Sequence, residues 1–268
     1  MKLSEAITAL IDVGIDSARH DATELFMRIG GLRREELLSP DAQCNAPEII
    51  EAIEKRKSRF PLQYIIGEVG FYRETYEVSK DCLIPRSDTE ILVEEVIKRL
   101  PDGERFIDIC TGSGCIAIST LKNTNQTLAF ATDISDRALL LAKRNALKNG
   151  VEHRVEFIRS DALSEVCEGD FFAIVSNPPY VTSEEYKALE PELYFEPKIA
   201  LVGNEGGLEF YKKITKNYIN SLKNGGFFAF EIGSSQAEDL KLIAKENGLN
   251  CEIIKDYSGL DRVAILQK

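Results

Sequence analysis

Apolar positions follow a helical period through the first sixty residues of the chain, and then the period changes. The stretches Leu3–Leu10 and Ala22–Ile29 each gather their apolar side chains on one helical face. Gly30-Gly31 stops the second, Arg33–Leu38 forms a further short helix, and Ser39-Pro40 ends it. Pro47 opens a longer helix through Ile49, Ile50 and Ile53 towards Arg59, closed by Phe60-Pro61. These signals predict a small all-helical domain over residues 1–68. Between Gly67 and Val78, aromatic and β-branched residues alternate with polar ones, which predicts a β-hairpin linker within 69–84. From 85 to 268 strands and helices take turns. Strands are expected at Arg105–Cys110, Thr127–Asp133, Val155–Ser160, Phe171–Asn177, Gly226–Gly233, Cys251–Asp256 and Arg262–Lys268. Helices are expected at Gly114–Lys122, Ser135–Lys148, Leu208–Leu222 and Ser235–Asn247. Such alternation specifies an α/β fold, here a seven-stranded and mostly parallel sheet with helices on both faces. Only Tyr257–Asp261 joins the last two strands, too short for a parallel crossover, so the C-terminal strand should run antiparallel.

Composition removes several function classes. The 268 residues carry a net charge of −11 and a pI near 4.9, which repels nucleic-acid phosphates. A local basic patch such as Lys55-Arg56-Lys57 with Arg59 reads as the solvated face of a helix. Six scattered cysteines form no C-x-x-C pair, so zinc spacing is absent and free thiols in a reducing compartment are expected. With only His20 and His153, there is little material for a histidine base or metal site. Both are expected to be exposed or capping residues, and no metal is expected. No apolar run is long enough to span a bilayer and the N-terminus has no signal-peptide core, so a cytoplasmic protein is expected.

The candidate chemistry sits at strand ends. Asn177-Pro178-Pro179-Tyr180 follows the apolar run Phe171–Val175. Two prolines stiffen the backbone, the Asn oxygen and a nearby carbonyl can accept both hydrogens of one NH2 group, and the ring offers a flat apolar face. The same four residues also serve as ordinary loop punctuation. Cys110-Thr111-Gly112-Ser113-Gly114 turns from a strand into a helix, where glycines allow a ligand close to the backbone. No Gly-Lys-Ser/Thr follows, which excludes a P-loop. Asp133 ends the next strand, at the distance where an acid binds ribose hydroxyls, and Asp161 follows the third. Each acid alone would also serve as a cap. Together, the four features line the carboxyl ends of consecutive strands, where open α/β sheets bind ligands. An NH2 clamp beside a nucleoside site points to S-adenosylmethionine rather than to a dinucleotide, since hydride transfer needs no such clamp. The antiparallel final strand is likewise the layout of Rossmann-like class I methyltransferases.

These residues resemble the HemK/PrmC group, glutamine N5-methyltransferases of peptide chain release factors. Arg59-Phe60-Pro61-Leu62-Gln63-Tyr64-Ile65-Ile66-Gly67 is similar to its R-x-P-L-x-Y-x-x-G, and Leu83-Ile84-Pro85-Arg86-Ser87-Asp88-Thr89-Glu90 to its L-I-P-R-P-D-T-E. The cofactor loop from Asp108 to Gly114, Asn177 to Tyr180, and Phe195-Glu196-Pro197 with Ala200-Leu201 extend the likeness over essentially the whole chain. The resemblance implies that Cys110 to Gly114 hold the methionine part of S-adenosylmethionine, that Asp133 binds the ribose, and that Asp161 and Ala162 line the adenine pocket. It implies that Asn177, Pro178, Pro179 and Tyr180, with Arg86, hold the substrate glutamine of a Gly-Gly-Gln loop. It implies a release factor as partner, an N-terminal domain that docks it, and S-adenosylhomocysteine as product; a monomer is expected. Three positions depart from the pattern. Ser87 replaces Pro and is expected to form a capping box with Glu90. Cys110 replaces Gly, which suits a backbone with negative φ. Ala162 stands where some members carry an aromatic ring, so the pocket wall is sought elsewhere.

In the mechanism this implies, Asn177 and the Pro178 carbonyl orient an amide nitrogen in line with the methyl group, with no side-chain base. Two rivals remain: an N6-adenine nucleic-acid methyltransferase, which grips a flipped base with the same clamp, and a non-catalytic S-adenosylmethionine-binding adaptor. The acidic charge and the lack of a basic recognition domain count against the first, and the intact clamp and loop against the second.

Overall fold

A computed structural model describes residues 1–39, 42–164 and 166–268, so Pro40, part of the expected third-helix stop, lies outside the described residues. The chain divides into two compact units. One comprises Met1–Glu68 with Glu190–Phe195, the other Val69–Leu189 with Glu196–Lys268.

The first unit contains α1 (Leu3–Ile11), α2 (Ala18–Arg28), a 3-10 turn at Glu36–Leu38, α3 (Pro47–Lys57) and a short α4 (Leu62–Ile66). Its core is the apolar stripe of each helix: Leu10, Leu25, Phe26, Ile49 and Ile53 are fully buried. Helix α3 starts on Pro47 and ends in Lys55-Arg56-Lys57, which suit the negative end of the helix dipole. The expectation of a solvated basic face fails at Arg56, which is buried. Its Nε donates to Asp21 at 2.7 Å and its Nη2 to Glu192 at 3.0 Å. A guanidinium is buried when a carboxylate fork matches it, and Asp21 and Glu192 supply one each. His20 and His153 are both exposed.

The second unit opens with a two-stranded sheet of β1 (Glu68–Phe71) and β2 (Glu74–Glu77), turned by Tyr72-Arg73. Then follow α5 (Thr89–Arg99), β3 (Arg105–Ile109), α6 (Cys115–Lys122), β4 (Leu128–Asp133), α7 (Asp136–Asn149), β5 (Val155–Arg159), β6 (Phe171–Ser176), α8 (Ser183–Tyr186), α9 (Glu209–Tyr218), β7 (Leu222–Glu231), α10 (Ala237–Glu246), β8 (Asn250–Lys255) and β9 (Asp261–Gln267). The seven-stranded sheet has the order β5-β4-β3-β6-β7-β9-β8. Pairing is parallel from β5 to β7, and β9 runs antiparallel between β7 and β8, so the mostly parallel sheet with one antiparallel C-terminal strand is observed. The central strands are apolar on both faces, as buried parallel strands must be. Phe106, Ala173, Val175, Phe227 and Ala229 pack on one face with Val93, Val96 and Ile116; Ile107, Ile174, Phe228 and Phe230 pack on the other with Tyr211, Ile214, Leu240 and Ile243. No helix among the described residues is long and apolar enough to cross a membrane.

The expected capping box at α5 does not form. The Glu90 carboxylate accepts instead from the Tyr72 backbone N–H at 2.8 Å, which ties the β1–β2 turn to the helix. Helix α9 ends at Tyr218, earlier than expected, and β7 begins at Leu222 rather than Gly226.

Candidate active site

Strand order reverses between β3 and β6, and their carboxyl ends open on a cleft of about 310 Å3, within the range of small-molecule sites. Of the residues expected here, Arg86, Cys110, Thr111, Gly112, Ser113, Asp133, Asp161, Ala162, Asn177 and Pro179 line it. Gly114, Pro178 and Tyr180 are adjacent in sequence to lining residues but do not themselves line it.

The glycine loop is held from below by two acids. Asp133 accepts the Gly112 N–H at 2.9 Å through one oxygen and the Ser135 N–H at 2.9 Å through the other. Each oxygen keeps a lone pair for a ligand hydroxyl. Burial pushes the Asp133 carboxyl up, against the pull of the backbone N–H donors. Asp108, wholly buried in β3, accepts the Thr111 hydroxyl at 2.6 Å and the Ala117 N–H at 3.2 Å. Its other oxygen has no partner, and burial pushes the carboxyl up to about 7. Gly114 has φ +82°, and a Cβ there would press on Ile118 and Ala142 at 3.0 and 3.1 Å, so glycine lets α6 and α7 close behind the loop. Asn145 on α7 donates to the Ser113 carbonyl and to the Glu77 carbonyl, linking the loop to β2.

Cys110 departs from the expectation of negative φ. It adopts φ +62°, a left-handed conformation that costs a non-glycine residue roughly 1–2 kcal/mol. Cys110 lines the cleft with Cys82 and Cys115, and burial pushes all three thiols upward, Cys82 to about 12. Asp161 turns onto its own loop, accepting from the Leu163 N–H and the Ser164 hydroxyl. Ala162 lines the cleft, whose apolar lining also includes Ile134, Leu163 and Phe210.

At the other side of the cleft, Asn177 Nδ2 donates to Thr89 Oγ at 3.2 Å, so its Oδ1 is left to the cleft. Thr89 in turn donates to Glu231 Oε2 at 2.5 Å, and the Tyr180 hydroxyl donates to Glu231 Oε1 at 3.3 Å. Glu231 ends β7 and is 2 % exposed. Burial pushes its carboxyl up, opposed by the Thr89 hydroxyl, the Arg262 guanidinium and the Tyr180 hydroxyl. The backbone of the clamp is fixed by the returning loop. The Val181 N–H donates to the Leu201 carbonyl and the Gly203 N–H donates to the Val181 carbonyl, and a Cβ at Gly207 would meet the Tyr180 carbonyl at 2.0 Å. Arg86 is engaged by Glu196, which also accepts the Ile84 N–H. Thr89 and Glu231 were absent from the expected site. The signal for Glu231 is an acid closing the apolar run Phe227–Phe230, the same logic that marks Asp133 and Asp161.

Two family models match the chain. The Methyltransferase small domain covers residues 86–209 and the PrmC N-terminal domain residues 2–67. Over 257 residues the chain is 39% identical to the release factor glutamine methyltransferase of Thermodesulfovibrio yellowstonii, covering 92% of each chain. The chain belongs to the release factor glutamine methyltransferase family. A second member, from Moorella thermoacetica, is 35% identical over 268 residues, 97% of this chain and 95% of that one. Among solved structures, a methyltransferase from Pyrococcus furiosus superposes with a TM-score of 0.54 at 21% identity, over 72% of this chain and 87% of that one. That likeness shows the Rossmann-like methyltransferase fold. Family membership makes the protein a methyltransferase, and the PrmC N-terminal match spans α1 to α4.

Proposed function

We propose that this chain transfers a methyl group from S-adenosylmethionine to the side-chain amide nitrogen of the glutamine in the Gly-Gly-Gln loop of peptide chain release factors, leaving S-adenosylhomocysteine. The observation that carries the reading is the Asn177 amide, turned with its oxygen into a cleft that also contains the glycine loop and Asp133.

The residues suit that donor. Asp81, Asp133, Asp161 and Glu209 line the cleft against a single basic residue, Arg86, already paired with Glu196. A buried Glu209 oxygen has no partner. Such a wall favours a cation. S-adenosylmethionine supplies a methyl group on positively charged sulfur. Cys110 to Gly114 hold its methionine part, Asp133 takes the ribose hydroxyls, and Asp161 with Ala162 borders the adenine. Asn177 Oδ1 and the Pro178 carbonyl accept the two N–H bonds of the substrate amide, which orients the nitrogen and stabilises the charge developing on it. Tyr180 packs beside the amide, Pro179 walls it, and Arg86 adds a donor for the substrate chain. The N–C bond forms as the S–C bond breaks, and the nitrogen then loses a proton to water.

In this reading the protein acts in the cytoplasm as a monomer, with residues 1–68 and the hairpin at 69–84 docking the release factor. Tritiated donor offered with release factor, with tRNA or rRNA, and with DNA tests it. Label in a tryptic peptide carrying Gly-Gly-Gln is the expected result. Label only in nucleic acid would establish the base methyltransferase instead, and label nowhere the adaptor.

A further inference from the structure

We propose that Glu231 and Thr89 are positioning residues that lock the Asn177 amide with its oxygen toward the cleft and pin Tyr180 beside it. The inference rests on the function proposed above.

An isolated asparagine presents either end of its amide, and the two ends are chemically opposite: oxygen accepts, NH2 donates. A clamp for a substrate NH2 works only with oxygen outward. Rotation of the amide by half a turn would set two NH2 groups against each other. Nothing in Asn177-Pro178-Pro179-Tyr180 itself decides between these states, because the prolines fix the backbone and not the side-chain amide.

The decision comes from β7. The Thr89 and Tyr180 hydroxyls each find one oxygen of Glu231, and both of those oxygens act as acceptors. The Thr89 hydroxyl therefore spends its hydrogen on Glu231 Oε2 at 2.5 Å. What remains on Thr89 Oγ toward Asn177 is a lone pair, which takes Nδ2 at 3.2 Å and turns Oδ1 outward. Glu231 and Thr89 are each 2 % exposed, so no water competes to reverse the polarity. The second oxygen of the same carboxylate accepts from Tyr180 at 3.3 Å. One group thus fixes two members of the clamp, and the Tyr211 hydroxyl holds the Glu231 main chain at 2.9 Å.

The test uses full-length enzyme, with donor affinity by calorimetry and steady-state kinetics on release factor. Wild-type turnover on Gly-Gly-Gln comes first; its absence would overturn the function itself and not the positioning. Thr89→Val keeps the shape and removes the hydroxyl. It should lower kcat by about 100-fold while donor Kd and the KM for release factor move less than about threefold, as expected for misplacing a reacting group rather than losing binding. Thr89→Ser restores the hydroxyl and should recover most of the turnover. Glu231→Gln can present an NH2 to Thr89, which admits the flipped amide, and should fall between the two. Near-normal kcat in Thr89→Val would overturn the proposal. So would equal losses in Thr89→Val and Thr89→Ser, which would assign the residue a packing role, or a fall in donor affinity that matches the fall in kcat. Thermal melting of each variant separates these results from a failure to fold.

Discussion

The two sides of the cleft are assembled in different ways. On the nucleoside side the acids reach short distances along the chain, Asp108 to Thr111 and Ala117 and Asp133 to Ser135 and the Gly112 turn of the neighbouring strand, and Asn145 adds a longer tie to the Ser113 carbonyl. On the amide side Asn177 is oriented from Thr89, 88 residues away, and Thr89 from Glu231, a further 142 residues along. The first side is a pair of strand ends capped by their own turns. The second is one group passed between three elements, α5, β6 and β7. A loop built locally tolerates change elsewhere in the fold, whereas a relay across elements fails when any of its members moves.

That contrast yields separable expectations. Asn177→Ala removes the orienting acceptor and should lower kcat by about 100- to 1,000-fold, with donor affinity nearly unchanged by calorimetry. An equal loss of donor affinity would erase the distinction between the sides. Gly207→Ala forces a Cβ against the Tyr180 carbonyl at a backbone φ of +81°. It should slow single-turnover methyl transfer by about 100-fold, since a displacement of order 1 Å costs that much. Asp133→Ala acts on the other side. It loses ligand hydroxyls and the Gly112 anchor, and should weaken donor binding by about 10- to 100-fold, at roughly 1.5–3 kcal/mol for bonds to a charged group, while kcat at saturating donor holds.

Two smaller effects probe the local side alone. Asp108 has its carboxyl raised to about 7, so between its ordinary range and neutrality the folded chain holds a proton that the unfolded chain releases. Wild-type stability should therefore fall as pH rises through that window, by up to about 1.4 kcal/mol per pH unit. Asp108→Asn should lose that slope, so urea denaturation at pH 5 and pH 7 should show the variant gaining on wild type as pH rises. Cys110→Gly should raise stability by about 1 kcal/mol by relieving the left-handed backbone, with a visible shift in melting temperature.

The same contrast explains what could be read from the sequence. The central strands of the sheet were legible because strands buried on both faces need unbroken apolar runs, and the acids at their ends stood out against them; the half-exposed edge strands β5 and β8 were legible by alternation instead. The cofactor loop was legible for the same reason, its chemistry being contained in Asp108 to Gly114 and Asp133. The five-residue α4 was not, since two proline and glycine signals crowd it between Pro61 and Gly67. Arg56 was misread because a basic run says nothing about a carboxylate 35 residues earlier in the chain. The cap at Ser87 failed for a similar reason: Glu90 had a better donor in Tyr72, from an element whose position the local sequence does not give. Thr89 lay inside a segment singled out by resemblance, yet its role becomes visible only when Glu231 is brought beside it.

The three cysteines of the cleft carry a consequence of their own. A methyl sulfonium alkylates whatever nucleophile it meets, and a thiolate is among the strongest a protein offers. Cys82, Cys110 and Cys115 all line the cleft such a donor would occupy. With burial and the neighbouring carboxylates holding each as a neutral thiol, the enzyme is protected from labelling itself. The burial that shapes the cleft, with its acidic wall adding to the effect, thus also keeps these sulfur atoms from consuming the donor.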